Sequence, residues 1–131
     1  MDYSDYHREP SILIIDDEMD TTTLLSLMLR KTGYQVHTAY NGAKGLEIIK
    51  NNPVDLILLD LMMPDMDGWE TLKALRKVSY APVIILSARG TKKNVVSGFR
   101  NLVDDYITKP FYMDEVNARI EAVLRRTLVF S

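Results

Sequence analysis

The feature that most limits how this chain can fold is an alternation of two apolar spacings. Short apolar runs lie at positions 11–15, 35–40, 55–60, 82–87 and 105–108, several of them rich in Ile or Val. Each is too short for a stable helix and has the composition of a strand. Between them the apolar residues recur at helical intervals: Leu25, Met28 and Leu29; Leu46 and Ile49, with Lys50; Trp69, Leu72 and Leu75; Val95, Val96, Phe99 and Leu102; and Val116, Ile120, Val123 and Leu124. Gly33 stands where a C-terminal glycine cap belongs, and Asp114 and Glu115 open the last segment, where negative charge suits the helix dipole. The pattern predicts five strand-helix units. Strands that alternate with helices pair in parallel and are covered on both faces, which explains why 12–15, 56–59 and 83–86 are almost unbroken apolar stretches. The expected class is three-layer α/β.

Composition narrows the function more by exclusion than by assignment. With 131 residues, 47% of them hydrophobic, there is material for one domain with a real core. The organisation expected is a polar N-terminal arm at 1–10, one domain at 11–126, and a tail or the start of a linker at 127–131. A formal net charge of -2 is not the basic field of a nucleic-acid binder. The absence of cysteine removes disulfides, thiolate metal sites and a cysteine nucleophile, and fits a cytoplasmic address. The arm carries Asp2, Asp5, His7, Arg8 and Glu9 and no apolar stretch, so it does not read as a secretory signal; no run is long enough for a membrane span.

In open parallel sheets the ligand site lies beyond the carboxyl ends of the strands. Here the first strand is followed by Asp16, Asp17 and Glu18, the third ends in Asp60, the fourth in Ser87, and the fifth in Thr108, Lys109 and Pro110. Parallel pairing would gather these carboxylates, a hydroxyl and an ammonium along one edge. Crowded carboxylates repel, and a bound cation is the simplest means of keeping them ionised. All-oxygen ligation with no His or Cys cluster favours Mg²⁺, with Mn²⁺ as a substitute. A carboxylate beside such an ion can attack phosphorus, while Lys109 and the Ser87 hydroxyl meet the phosphoryl oxygens.

The segments ILIIDDE at 12–18, DLMMPDMDG at 60–68, LSAR at 86–89 and DDYITKPF at 104–111, taken together, closely resemble the receiver domain of bacterial two-component response regulators. The resemblance implies a flavodoxin-like (βα)5 sheet with strand order 2-1-3-4-5. It implies a signalling switch that catalyses only its own phosphorylation and dephosphorylation, with Asp60 as acceptor. The donor would be a sensor histidine kinase or phosphotransfer protein, and the reader an effector domain or protein downstream. Asp17, Asp60 and the backbone carbonyl of Met62 become direct Mg²⁺ ligands, and Asp16 a ligand through water. Ser87 and Lys109 become the phosphoryl contacts, and the Lys109-Pro110 bond a cis peptide. Ser87 and Tyr106 form the implied switch, which remodels the surface of the fourth helix, fifth strand and fifth helix. Asp104, Asp105, Glu115, Arg119 and Arg126 match the charged face through which the transcriptional branch of the family dimerises.

Two positions depart from the family pattern. Leu102 and Val103 replace a Gly-Ala pair, so a different end to the fourth helix is expected, and Val95 replaces a basic residue on the dimer face. Taken singly, each site residue also has an ordinary reading: paired acids cap helices, Ser87 caps the next helix, Lys-Pro is a loop, and Tyr106 is a strand residue. The methionines at 62, 63 and 66 read as loop and packing residues, His7 and His37 as solvated, and Arg125 and Arg126 as complements to a helix dipole rather than a nucleic-acid patch. The competing enzyme, a haloacid-dehalogenase-like phosphatase, needs its nucleophile in an Asp-x-Asp motif after the first strand; here the lone acceptor follows the third. A degenerate receiver would lack one of the acids or the lysine, and all are present.

Overall fold

The computed structural model describes residues 9–61, 68–88 and 102–128. Five strands, β1 (Ser11–Ile15), β2 (Gln35–Ala39), β3 (Leu56–Asp60), β4 (Val83–Ala88) and β5 (Asp105–Lys109), form one parallel sheet in the order β2-β1-β3-β4-β5. The described helices are α1 (Met19–Thr32), α2 (Gly42–Asn51), α3 (Gly68–Val78) and a last helix, Met113–Leu128. The three-layer flavodoxin-like class and strand order expected above are therefore those observed. The fourth helical segment, apart from Leu102, lies outside the described residues.

Successive strand side chains point to opposite faces, and that period divides the apolar runs into two cores. Ile12, Ile14, Leu56, Leu58, Ile84, Leu86 and Ile107 pack with Leu25 and Leu29 of α1 and with Val116, Ile120 and Val123 of the last helix. Leu13, Ile15, Ile57, Leu59, Val83 and Ile85 face the other way, onto Leu72 and Leu75 of α3 and the partly buried Leu46 and Ile49 of α2. Because both faces are covered, the central strands β1 and β3 are buried at every position.

Strand limits shift by a residue from those expected, and the hydrogen bonds explain two of the shifts. Asp55 stays outside β3: its Oδ2 accepts the Ser11 N–H at 2.7 Å, and its own N–H donates to the Ser11 carbonyl at 2.8 Å. Pro82 has no N–H to donate, so β4 begins at Val83, while the Pro82 carbonyl still accepts from Ile57 at 2.9 Å. At the far edge of the sheet the bonding continues just past the strands. The Asp16 N–H donates to Ala39 O at 3.0 Å and the Leu61 N–H to Leu86 O at 3.2 Å, which fixes the chain on both sides of the acidic residues.

The helix ends are set locally. Gly33 adopts φ 113°, and the bonds Gly33 N–H to Arg30 O and Tyr34 N–H to Leu29 O, each 3.1 Å, close α1 in a Schellman turn. Asn41 caps α2, its Oδ1 accepting the Lys44 N–H at 2.8 Å. Leu102 avoids the left-handed turn of a glycine: among the described residues no residue other than glycine has positive φ.

Gly68 starts α3 against the end of β3, donating its N–H to Leu61 O at 3.3 Å. A Cβ there would lie 2.8 Å from Leu61 Cα and 2.6 Å from Leu61 Cδ2, so any side chain must displace backbone adjoining Asp60. Gly68→Ala is accordingly expected to lose about 1–3 kcal/mol of stability in urea unfolding, the range for overpacking; wild-type stability in the variant would show that this approach is not constrained.

Candidate functional site

The edge formed by the carboxyl ends of β1, β3, β4 and β5 brings residues far apart in sequence into one group. Asp16 follows β1 directly and is completely buried; Asp60 ends β3 with 3% exposure. Asp17 is half-buried beside them, and one carboxylate oxygen from each of Asp16, Asp17 and Asp60 lies within 4.8 Å of the others. Register explains the arrangement: β1 and β3 are neighbours, and Asp60 pairs with Leu86, the residue before Ser87.

Lys109 closes the group from the end of β5. Its Nζ donates to Asp16 Oδ2 at 2.8 Å, Glu18 Oε1 at 3.1 Å and Asp60 Oδ2 at 3.4 Å. The peptide bond to Pro110 is cis, as expected. Burial acts to lower the Lys109 pKa. The hydrogen bond to Asp16, the charges of Asp60 and Asp16 and the hydrogen bond to Glu18 outweigh it, so the pKa rises above the ordinary lysine value and the ammonium stays protonated.

Asp16 is held on both oxygens. Its Oδ1 accepts the Glu18 N–H at 3.0 Å while Oδ2 takes the lysine. The Thr22 hydroxyl, donating to the Asp16 carbonyl at 3.2 Å and the Glu18 carbonyl at 2.9 Å, fixes the turn that leads into α1.

The Lys109 ammonium is thus shared by three carboxylates, Asp16, Glu18 and Asp60, and Asp17 is a fourth acid of the same group. Two of them are buried, where an uncompensated charge is most costly. Three oxygen donors within reach of one point, in excess of the positive charge that the described residues supply there, fit a hard divalent cation.

The remaining expected residues have distinct placements. Ser87 is 3% exposed, and its hydroxyl lies 3.5 Å from the Ile107 carbonyl, the long limit of a hydrogen bond. Tyr106, opposite Ile85 on β5, is 51% exposed. Met62 lies outside the described residues. On the expected dimer face, Arg119 Nη1 donates to both oxygens of Asp105 at 3.0 Å and Nε to Glu115 Oε1 at 3.3 Å, all within this chain. Arg126 is exposed further along the last helix. Asp104 is turned toward the start of β4, where its Oδ2 accepts the Val83 N–H at 2.9 Å.

Glu18, which sequence reasoning gathered to this edge but gave no role, is a partner of Lys109. It was visible only as the third acid of a run, and nothing in its position along the chain indicates that Lys109, 91 residues away, is within reach.

A family model described as the response regulator receiver domain matches residues 12–121. This chain belongs to that family. The receiver is 44% identical over 116 residues to the transcriptional regulatory protein SrrA of Staphylococcus aureus, covering 88% of this chain and 48% of that protein. It therefore spans about half the length of the curated relatives it matches. Among solved structures it is similar to the receiver domain of the Francisella response regulator 1452, at 37% identity and TM-score 0.81, covering 91% of this chain and 99% of that one. A two-component response regulator from Clostridium difficile superposes with TM-score 0.86 at 31% identity, covering 91% and 98%. The receiver is thus a member of a signalling-switch family of two-component systems, and no helix among its described residues is long and apolar enough to cross a membrane.

If the acidic group holds a divalent cation, Mg²⁺ at a hundredfold excess over Kd will stabilise the fold by about 2.7 kcal/mol, read as a rise in melting temperature. Asp17→Asn and Asp60→Asn should each lose most of that increase. A Mg²⁺-independent melting temperature in the wild type would remove the assignment.

Proposed function

We propose that Asp60 of this receiver accepts a phosphoryl group from the phosphohistidine of a sensor histidine kinase or phosphotransfer protein, and that the modified domain passes the signal to an effector. The observation that carries this reading is the contact of Lys109 with Asp16 and Asp60, at 2.8 and 3.4 Å, beside three carboxylates that can share one cation. An Asp60 oxygen attacks phosphorus as the P–N bond to the donor imidazole breaks, and the nitrogen leaves with the bonding pair.

Lys109 lies where it can balance charge on the phosphoryl oxygens, and the Ser87 hydroxyl can donate to one of them. When bound, Mg²⁺, with Mn²⁺ as a substitute, supplies further charge neutralisation; Asp17, Asp60 and the Met62 carbonyl would hold it directly and Asp16 through a water. The buried position of Asp60 limits the water that can reach the acyl phosphate.

The switch follows from Ser87 and Tyr106. The weak contact of the Ser87 hydroxyl with Ile107 O costs little to give up, and the exposed Tyr106 ring gains buried area by turning inward once Ser87 has moved. The result is a changed surface of the fourth helix, β5 and the last helix. In dimerisation through Asp104, Asp105, Glu115, Arg119 and Arg126, Arg119 would exchange ion-pair partners rather than gain its first, because it already holds Asp105 and Glu115. SrrA is by name a transcriptional regulatory protein, which supports an effector acting on transcription; the net charge of -2 supports no direct nucleic-acid contact by the receiver itself, and a chain without cysteine fits the cytoplasm.

Mass spectrometry after incubation with acetyl phosphate and Mg²⁺ should find one phosphoryl group on the wild type and none on Asp60→Asn; labelling at another residue would refute the acceptor. Tyr106→Ala should label normally and transmit poorly, and full signalling from it would refute the switch. With beryllofluoride the wild type should sediment as a dimer that dissociates in high salt, whereas a persistent monomer would exclude pairing through the charged face.

A further inference from the structure

The departure at Leu102 and Val103 is met by a structure at the opposite edge of the sheet from the acidic group. Arg76, near the end of α3, directs its guanidinium beneath the starts of β4 and β5. Its Nε and Nη2 both donate to the Leu102 carbonyl, at 3.1 and 2.7 Å, and Nη1 donates to the Ala81 carbonyl at 2.6 Å. Asp104, 3.9 Å from Nη2, completes the link: its N–H donates to Val83 O at 2.8 Å and its Oδ2 accepts from Val83 N–H at 2.9 Å. Leu102 and Val103 themselves pack against the core that contains Ala81 and Val83. An arginine side chain with 22% exposure, its guanidinium bonded to two carbonyls through three nitrogens, is a rigid fork that an ammonium cannot reproduce.

We propose that Arg76 is a positioning residue of the switch: it fixes the lead-in to β5, so that a change at Asp60 reaches Tyr106 as rotation of the ring rather than as slippage of the strand. This rests on the reading of Asp60 as phosphoryl acceptor and Tyr106 as readout. Ser87 and Lys109 lie at the carboxyl ends of β4 and β5, while Arg76 holds the other ends of the same two strands. Movement at one end of a strand is transmitted only if the other end is held. A glycine-alanine lead-in has few side-chain atoms with which to pack; here two bulky side chains and an arginine fork provide the attachment. Arg76 touches none of Asp16, Asp60, Ser87 or Lys109 in any of its bonds, so its influence on the chemistry is indirect.

The test compares the wild type with Arg76→Gln and Arg76→Lys, each carrying fluorotyrosine for ¹⁹F NMR, with the Tyr106 resonance assigned from its loss in Tyr106→Phe. In the unliganded proteins, amide exchange at Asp104 should quicken roughly tenfold or more in both variants, because the Arg76 bonds to the Leu102 and Ala81 carbonyls flank the Asp104–Val83 pairing that protects it. Unchanged exchange would overturn the proposal. On titration with beryllofluoride and Mg²⁺, occupancy of Asp60 should be half-maximal within about twofold of wild type, as for sites that share no contact. The displacement of the Tyr106 resonance at saturation should fall below half the wild-type displacement in both variants. A full displacement, even in a variant of lowered melting temperature, would reduce Arg76 to a stabilising contact and overturn the proposal. If the wild type does not bind beryllofluoride at all, the acceptor reading fails instead, and the exchange rate at Asp104 alone decides whether the fork holds the strand.

Discussion

The ammonium of Lys109 among the carboxylates that follow β1 and β3 is the interaction on which the rest of the site depends. It joins β1 and β5 across an edge where the other charged groups at the site, among the described residues, are carboxylates. Asp16 tolerates complete burial because both of its oxygens are bonded, one to a backbone N–H and one to this lysine. Removal of the lysine would leave a buried charge without its partner, the costly case for ion pairs inside proteins. Packing around the sheet and chemistry at its edge therefore share a contact, which couples the state of the site to the positions of the strands.

That coupling gives the two edges of the sheet different tasks. At the carboxyl edge the groups are charged, close together and only partly neutralised among the described residues, and on this the proposed uptake of a cation and a phosphoryl group rests. At the opposite edge Arg76 and Asp104 bind backbone groups, with bonds satisfied from within the domain. Between the two runs β4, buried from Val83 to Ser87, and β5, whose Ile107 is buried while Tyr106 is half exposed. On the proposed reading, a close-packed strand held at one end would pass a change at its other end to the exposed side chains on its neighbour.

Much of the fold was legible because it rests on local and periodic signals. Runs such as 12–15 and 56–59 are apolar on both faces because both are covered, and Gly33 ends α1 because only glycine adopts its φ without strain. The acids and Lys109 were legible as strand-end residues, and the family resemblance supplied the strand order that places them together. Less legible were Glu18 and Arg76, whose roles come from partners 91 and 26 residues away. Asp104, expected on the charged surface, is exposed and also accepts the Val83 N–H at the start of β4, a contact that no spacing reveals.

By itself the sequence determined the alternation of elements, the two-faced burial of the central strands and the chemical inventory at the strand ends, since each depends on side-chain period and residue type. The tertiary structure decided which of those groups touch. It set Lys109 on Asp16, Glu18 and Asp60, left Tyr106 outward, and brought Arg76 to the Leu102 carbonyl. Those contacts depend on strand register and on the direction in which long side chains extend from it. Both are properties of the packed sheet rather than of any segment within it.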